Sequence, residues 1–329
     1  MATLSTAAGG SAVTLSRGLI RTARPKQMVK NGLVLVPLFF TINKWWDTSD
    51  IIGMSSLVGR SLAAMALFVA LSAAVYFIND ALDVERDRAH PVKRNRPIAA
   101  GIIPVPLAWT VAIALAVGAL VLSFLIRADL GYAATGYMGL MLGYSLFIKH
   151  MVILDVMAIA AGFVLRAVAG ALAIESTILH RGGVDVQLDL TISPWLFVVT
   201  AMGALFIALV KRRSELVEAG DRAVTQRGIL SEYSEKLLDQ FIVIVATSTL
   251  VAYTLYTFSG GITEANVPEN NSMMLTIPFV GYGLFRYLYL MYRHRHGEAP
   301  EEILITDRPL MINIVLWLIT AAAVLLVNR

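Results

Sequence analysis

The sequence predicts an all-α, polytopic membrane protein with about nine transmembrane helices. Of its 329 residues, 57% are hydrophobic and only 15% are charged, whereas a soluble domain averages about 25% charged residues. This composition leaves too little polar surface to cover a soluble globule of that length, which excludes soluble enzymes, disordered proteins and secreted scaffolds. Apolar runs of roughly 20 residues, the length that crosses a bilayer, recur along the chain.

Nine such runs follow one another in the sequence. They lie near residues 31–46, 57–79, 102–126, 131–148, 152–174, 194–210, 240–259, 273–292 and 310–327. The first is the weakest, because Pro37 interrupts it. Residues 1–16 carry no charge and lack the basic and apolar regions of a signal peptide, so they predict a disordered tail. Residues 17–329 are predicted to form a single transmembrane domain.

The basic residues fall mainly on one side of these spans. With the N-terminus inside, most Lys and Arg lie in the N-terminal segment, in loops near 80–101 and 211–239, and in the later connections on the same side. The positive-inside rule places these loops in the cytoplasm of a cell that carries the chain in its plasma membrane. The net charge of +4 is therefore assigned to topology and anionic headgroups, and no nucleic-acid partner is expected.

The chain contains no Cys, which excludes disulfides, thiolate nucleophiles and Cys-ligated metal centres. Its five His show no spacing of a zinc-binding HExxH motif. Candidate chemistry therefore rests on the acidic and basic residues beside the spans.

An acidic motif with a basic continuation follows the second predicted span. Its residues are Asn79, Asp80, Asp83, Asp87, Lys93, Arg94 and Arg96. On a continuous helix Asn79, Asp83 and Asp87 share one face, where like charges repel unless a cation lies between them. Amide and carboxylate oxygens suit Mg²⁺, which shares its coordination shell with substrate phosphates. The alternative is a polar loop at the membrane surface with incidental acids.

With the stretch RPIAAG at residues 96–101, this motif resembles the first aspartate-rich motif of the UbiA superfamily of membrane prenyltransferases. The resemblance implies a UbiA-type helical bundle in which the motif binds a diphosphate through Mg²⁺ at the cytoplasmic mouth. It identifies Asn79, Asp83 and Asp87 as the metal-binding and catalytic residues. Mg²⁺ is the one cofactor that it implies.

The second aspartate-rich motif of that superfamily has no full counterpart here. At the corresponding place Lys211, Arg212 and Arg213 largely replace the carboxylates. Phosphate binding by cations is predicted there in place of a second metal site. The alternative is that these three residues only set the topology.

Further stretches are similar to one branch of the superfamily, the decaprenyl-phosphate phosphoribosyltransferases of mycobacteria and corynebacteria. They lie at residues 24–31, 144–150, 165–170, 211–216, 300–303 and 307–308. The resemblance implies transfer of a 5-phosphoribosyl group from phosphoribosyl pyrophosphate (PRPP) to decaprenyl or another polyprenyl phosphate, with release of pyrophosphate. The product would supply synthesis of cell-wall arabinan.

Two phosphorylated substrates require several polar and cationic groups. The candidates for substrate binding are Lys26, Lys30, Asp80, Lys93, Arg94, Tyr144, Lys149, Arg166 and Lys211. Arg166 lies inside a predicted span, where a charge costs several kcal/mol unless it is paired or faces water. Its alternative role is a structural pair with an acid.

Two other functions stay open at this point. One is a UbiA prenyltransferase acting on an aromatic or quinone-precursor acceptor, and the other is a transporter of a phosphorylated solute. The sequence also leaves open the polyprenyl chain length, the number of Mg²⁺ ions and whether the chain forms a homo-oligomer.

Overall fold

The computed structural model of the chain describes residues 4–175, 177–181, 184–187, 194–219, 228–260, 266–293, 303 and 306–328. The α-helices in these ranges are α1 (Leu4–Ala23), α2 (Val36–Phe40), α3 (Ile42–Trp45), α4 (Ile51–Leu82), α5 (Val84–Ala89), α6 (Val105–Ile126), α7 (Ala128–Leu146), α8 (Leu154–Ile174), α9 (Pro194–Ala219), α10 (Glu235–Thr257), α11 (Ile277–Arg293) and α12 (Arg308–Val327). The 3₁₀ helices are Pro25–Leu35, Lys93–Asn95, Ile148–His150, Gly228–Glu232 and Ser272–Thr276.

Seven helices in the described ranges are long and apolar enough to cross a membrane. They are α4, α6, α8, α9, α10, α11 with the 3₁₀ turn before it, and α12. This finding confirms a multi-pass membrane protein but not the count of nine spans. Helix α7 has 19 residues, about 28 Å at 1.5 Å per residue, but its Gly and Tyr residues and Asp129 make it less apolar than the seven.

The weakest predicted span, residues 31–46, is broken in the structure. It divides among the end of the 3₁₀ segment Pro25–Leu35, α2 and α3. Pro37 occupies the first turn of α2, where its missing N–H and fixed φ are tolerated, whereas inside a longer helix they would remove a hydrogen bond. The N-terminal 3₁₀ segment, as we call Pro25–Leu35, therefore enters the bundle without crossing it as a continuous helix.

Helix α1 begins at Leu4 and so occupies most of the stretch for which the sequence predicts a disordered tail. Residues 1–3 lie outside the described part of the chain. Leu15 and Leu19 pack beside the buried side chains of Phe77 and Ile103. These apolar contacts explain why the second half of α1 is held against the bundle.

The helices pack mainly with their neighbours in the chain. Helix α4 contacts α6, α7 and α8, while α8 contacts α9 and α9 contacts α10. Buried apolar side chains form one core around Phe68, Leu71 and Tyr137 and a second around Phe206 and Leu238. A short antiparallel hairpin, β1 (Ile178–Arg181) and β2 (Val184–Gln187), pairs Ile178 with Gln187. Among the described residues this hairpin alone departs from the predicted all-α fold.

One close backbone contact fixes the N-terminal 3₁₀ segment against α8. A Cβ atom added to Gly170 would lie 2.0 Å from the carbonyl oxygen of Val34, far inside van der Waals contact. Val34 is fully buried. Glycine at position 170 is therefore required for the segment to lie directly on α8.

One end of the bundle holds the C-terminal ends of α4, α7 and α9 and the N-terminal ends of α8 and α10. Side-chain contacts of Asp83 with Lys149 and of Asp155 with Arg212 connect these ends, as does the hydrogen bond from the backbone N–H of Ile153 to Tyr233. We call it the motif end, because it carries the acidic motif.

Candidate active site

The acidic motif keeps helical register across a break at Asp83. The backbone N–H of Asp83 donates to the carbonyl of Asn79 at 2.9 Å, and that of Asp87 donates to the carbonyl of Asp83 at 2.8 Å. These bonds confirm that Asn79, Asp83 and Asp87 follow one another at intervals of one turn. Asp83 itself, with φ −91° and ψ 9°, ends α4 and begins α5.

Two buried carboxylates of the motif pair with two partly exposed arginines, and we call Arg24, Asp80, Asp87 and Arg96 the α4 cluster. Arg24 Nη2 lies 2.5 Å from Asp80 Oδ1, and Arg96 Nη1 lies 3.1 Å from the same oxygen. Arg96 Nη1 also lies 2.7 Å from Asp87 Oδ2. The prediction puts Asp87 in a metal shell and Asp80 against a substrate, whereas the structure places both carboxylates in ion pairs.

Asp83 has a different environment from Asp80 and Asp87. Its side chain is 31% exposed, and its contacts are longer: 3.4 Å to Arg86 Nη1 and 4.0 Å to Lys149 Nζ. Because neither distance is that of a tight ion pair, the Asp83 carboxylate is the one that remains available to a ligand. The structure thus brings together two predicted site residues, Asp83 and Lys149, that are far apart in sequence.

The donor set at this place suits a divalent metal that shares its shell with substrate. In the ranges that the structure describes, no group of three or more His, Cys, Asp or Glu side chains is arranged to hold a metal ion. Half-buried Asn79 and Asp83 supply one amide and one carboxylate oxygen on one helix face. Mg²⁺ is typically bound by one or two carboxylates together with waters and substrate phosphates, so this pair fits it without a closed protein cage.

Arg166 lies deeper in the bundle, in a shell of neutral groups. Its Nε donates to Asn31 Oδ1 at 2.8 Å, Nη1 to the carbonyl of Gly162 at 2.9 Å, and Nη2 to the Tyr137 hydroxyl at 2.7 Å. Ser72 Oγ lies within hydrogen-bond distance of both Asn31 and Tyr137. Arg166 is only 7% exposed. These bonds tie α8 to α4, α7 and the N-terminal 3₁₀ segment, and none of the partners is an acid.

The basic stretch after α9 is largely used in ion pairs. Arg212 Nη2 is bonded to Asp155 Oδ2, and its Nη1 lies 2.5 Å from Glu215 Oε2. The Tyr233 hydroxyl donates to Asp155 Oδ1 at 2.8 Å. We call these four residues the α8–α9 cluster. Burial raises the pKa of the Tyr233 hydroxyl to about 12, so this donor keeps its proton at neutral pH.

Arg213 is also paired, with its Nε 2.5 Å from Asp239 Oδ1, and its guanidinium stacks over the ring of Tyr292. Of the three basic residues predicted to bind phosphate here, Arg212 and Arg213 thus bind acids of the protein. Lys211, half-buried on α9, remains a candidate for phosphate.

The remaining candidates lie on elements that reach the motif end. Lys26 is exposed and Lys30 half-buried on the N-terminal 3₁₀ segment, which Arg24 joins to Asp80. Lys30 Nζ donates to Gln27 Oε1 at 2.8 Å. Others lie in or beside turns next to the acidic motif or in the last turn of α7: Lys93, Arg94 and Tyr144.

Comparison with known proteins assigns this arrangement to a family. Residues 53–303 match the profile of the UbiA prenyltransferase family. The chain belongs to this family. The matched range includes the whole acidic motif, Lys149 and the α8–α9 cluster, so every carboxylate discussed above lies within the UbiA domain.

Relatives with curated names are similar over nearly the whole chain. The decaprenyl-phosphate phosphoribosyltransferase of Mycolicibacterium smegmatis is 34% identical, over 95% of this chain and 94% of its own length. The protein of the same name from Corynebacterium glutamicum is 34% identical, over 92% of this chain and 85% of its own length. The UbiA match and these relatives confirm the family resemblance stated above.

Solved UbiA-type structures share the fold. A UbiA homolog from Archaeoglobus fulgidus bound to DMAPP and Mg²⁺ aligns with a TM-score of 0.65 at 17% identity, over 93% of this chain and 98% of that one. A digeranylgeranylglyceryl phosphate synthase aligns with a TM-score of 0.64 at 15% identity, over 95% of this chain and 99% of that one. At such identities the likeness shows the UbiA bundle alone.

Sequence reasoning missed several residues that organise this UbiA site. Arg24 and Arg96 appear in the recognised motifs, but no pattern pairs them with Asp80. Asn31 lies in a recognised stretch that assigns it no role, and Tyr137, Asp155 and Tyr233 lie outside every recognised motif. The sequence did offer one signal for these residues. Each has a side chain that can form hydrogen bonds and lies in or near an apolar run, where a buried polar group needs a partner.

Proposed function

We propose that this UbiA protein transfers the 5-phosphoribosyl group of PRPP to decaprenyl phosphate and releases pyrophosphate. The observation that carries the proposal is 34% identity, over 95% of the chain, to a relative named decaprenyl-phosphate phosphoribosyltransferase. The product would serve assembly of cell-wall arabinan. The chemistry of the motif end supports this assignment, since both substrates are phosphates and the site is rich in cations.

The cations would bind the phosphate groups of the two substrates. Lys149 lies 4.0 Å from Asp83, so it can bind the diphosphate of PRPP at the place where a metal would be held. The further candidates for the ribose and phosphate groups are Lys26, Lys30, Lys93, Arg94, Tyr144 and Lys211. A UbiA enzyme acting on a flat aromatic acceptor has one diphosphate to bind and needs fewer such groups.

Asn79 and Asp83 would hold Mg²⁺, the cofactor of this proposal. When bound there, the ion neutralises negative charge on the pyrophosphate leaving group. Asp80 and Asp87 keep Arg24 and Arg96 in place, so we assign these carboxylates to positioning. We also assign Arg166 to holding the N-terminal 3₁₀ segment, because it donates hydrogen bonds to Asn31, Gly162 and Tyr137 of the protein.

Bond breaking begins at the anomeric carbon of the ribose. As the C1–O bond to pyrophosphate breaks, C1 gains oxocarbenium character and the leaving oxygen gains negative charge. Lys149 and the neighbouring cations stabilise that charge where it develops. A phosphate oxygen of the lipid then attacks C1 from the opposite face and inverts the centre. The acceptor is already anionic, so the reaction needs no strong general base.

The decisive experiment is a transfer assay with purified protein in detergent. Radiolabelled PRPP and decaprenyl phosphate should give a labelled lipid product, EDTA should abolish it, and added Mg²⁺ should restore it. Asp83→Ala should lower the rate at least about 100-fold, the scale of losing one charge-stabilising group. The matched control is Glu85→Ala, an exposed acid in the next turn that pairs only with Arg88 in the described structure, and it should keep wild-type turnover.

A second arm of the assay tests the alternative chemistry. The same protein is incubated with a prenyl diphosphate and hydroxybenzoate. Prenylated product in this arm, with no transfer from PRPP, would replace the proposal by an aromatic prenyltransferase. Wild-type turnover in Asp83→Ala would remove the metal site from the mechanism.

We also propose that the motif end faces the cytoplasm at the plasma membrane, as the positive-inside rule requires. The chain has no Cys, so single cysteines report topology directly. A membrane-impermeant maleimide on intact cells should label Thr48→Cys, at the opposite end, but label Arg94→Cys only after permeabilisation. The reverse pattern would invert the orientation.

A further inference from the structure

The turn between α7 and α8 carries Lys149 and ends in a strained residue. Ile153 has φ 69° and ψ −48°, a backbone region that β-branched L-residues seldom occupy. Such a conformation is strained and persists only where the surroundings hold it. The contacts of Ile153 therefore show what fixes this turn.

The backbone N–H of Ile153 donates to the hydroxyl oxygen of Tyr233 at 2.6 Å. That hydroxyl donates in turn to Asp155 Oδ1, and Arg212 holds the other carboxylate oxygen of Asp155. All of Tyr233, Asp155 and Arg212 are buried. A chain of hydrogen bonds thus anchors the strained end of the turn to α9 and to the segment that precedes α10.

The other end of the turn reaches the proposed active site. Lys149 lies in the 3₁₀ turn Ile148–His150, and its Nζ is 4.0 Å from Asp83 Oδ2. The backbone N–H of Met151 donates to the carbonyl of Ile148 at 2.9 Å, so the few residues between Lys149 and Ile153 are themselves hydrogen-bonded. A displacement of Ile153 would therefore be passed to Lys149.

We propose that Tyr233 is a positioning residue for Lys149. Its hydroxyl holds the α7–α8 turn in the strained form that keeps the Lys149 ammonium beside Asp83, where the diphosphate of the donor binds. Without this hydroxyl the turn relaxes and Lys149 leaves its place, although Tyr233 itself touches no substrate. The inference rests on the proposed function for the identity of the donor, but the tether itself does not depend on it.

A double-mutant cycle on the full-length protein tests the coupling. Tyr233→Phe keeps the buried ring and removes one oxygen, and it should raise the KM for PRPP about tenfold. The value of kcat should fall as well, because Lys149 also stabilises the charge of the leaving pyrophosphate. Lys149→Gln should raise the KM by at least as much. The double variant should be no worse than Lys149→Gln alone, because Tyr233 acts through Lys149. Effects that multiply would overturn the proposal, as would an unchanged KM in Tyr233→Phe.

The matched control is Tyr132→Phe, which removes an exposed hydroxyl near the opposite end of α7. It should leave both kinetic constants unchanged. A purely structural role of Tyr233 would lower stability but would not make its effect on KM disappear when Lys149 is replaced.

A second measurement reads the tether without any substrate. The chain lacks Cys, and Phe147 is an exposed residue of the turn, so a spin label at Phe147→Cys reports the mobility of the turn. The label should become clearly more mobile when Tyr233→Phe is added; an unchanged spectrum would overturn the tether. If the wild-type protein fails to use PRPP, the proposed function fails, while this spectrum still decides the tether.

Discussion

The α4 cluster and the α8–α9 cluster use the same chemistry, a carboxylate held by arginine, in two different ways. In the α4 cluster Asp80 is shared by Arg24 and Arg96, whose side chains are 30% and 31% exposed. In the α8–α9 cluster one arginine, Arg212, is 3% exposed and holds a fully buried Asp155. The first cluster is redundant and open to solvent, whereas the second depends on one buried pair.

The difference matches where each cluster lies relative to the proposed chemistry. The α4 cluster adjoins Asp83, the carboxylate proposed to bind metal and substrate, so its arginines would lie near the phosphates that the proposal places there. The α8–α9 cluster is bonded, through Tyr233 and Ile153, to the turn that carries Lys149. One cluster therefore belongs to the mouth of the site, and the other supports it from within the bundle.

The largest effect is expected when the buried pair is broken. Asp155→Asn keeps the shape of the side chain but removes its charge, leaving Arg212 with Glu215 as its acidic partner. Removing one member of a buried ion pair costs about 3–5 kcal/mol, so the free energy of unfolding should fall by that amount in a denaturant titration in detergent. The control Asp129→Asn breaks the exposed pair with Arg127 at 3.0 Å and should cost less than about 1 kcal/mol. Equal losses in the two variants would contradict the distinction between buried and exposed pairs.

A smaller effect should separate the two arginines of the α4 cluster. Arg96 bonds both Asp80 and Asp87, while Arg24 bonds Asp80 and lies over the ring of Tyr76. Arg96→Ala should lower the free energy of unfolding by about 2 kcal/mol, the scale of hydrogen bonds to charged groups. Arg24→Ala should cost about 1 kcal/mol, because Arg96 still satisfies Asp80.

The double variant sharpens this comparison. When both arginines are absent, Asp80 loses its two bonded cations, so the combined loss should exceed the sum of the single losses. Strict additivity would show that Asp80 is not shared. The same denaturant titration measures all three proteins.

Local patterns predicted what is local in this structure. Apolar runs predicted the long helices because burial in lipid is a property of each run by itself, and the i, i+4, i+8 spacing predicted the register of Asn79, Asp83 and Asp87. The prediction of a continuous span at residues 31–46 was wrong. Asn31 bonds to Arg166 within the bundle, and Pro37 lies in the first turn of the short helix α2. Asn31 meets Arg166, which lies 135 positions away in the chain.

The sequence could not predict which residues far apart in the chain form ion pairs. Asp87 and Asp83 have the same charge and neighbouring positions, yet one is bonded to Arg96 and the other is half-exposed. Arg212 and Lys211 are adjacent cations, but only the helix face of Arg212 meets Asp155, 57 positions earlier. Residue type does not distinguish the members of either pair. The bond to Arg96 separates Asp87 from Asp83, and the packing of α8 on α9 separates Arg212 from Lys211.

The smallest effect at neutral pH, where it is zero, concerns the proton of Tyr233. Burial raises its pKa to about 12 in the folded protein, whereas an exposed tyrosine titrates near about 10. Between these values the unfolded chain has lost the proton and the folded one retains it, so stability falls as the pH rises through that window. The slope due to this group is at most about 1.4 kcal/mol per pH unit.

The free energy of unfolding, measured at several pH values from 8 to about 12, should therefore decline more steeply in wild type than in Tyr233→Phe. If the two proteins gave parallel curves of unfolding free energy against pH, the Tyr233 hydroxyl would not be enclosed by the α8–α9 cluster. The contrast between that buried cluster and the partly exposed arginines of the α4 cluster would then be lost.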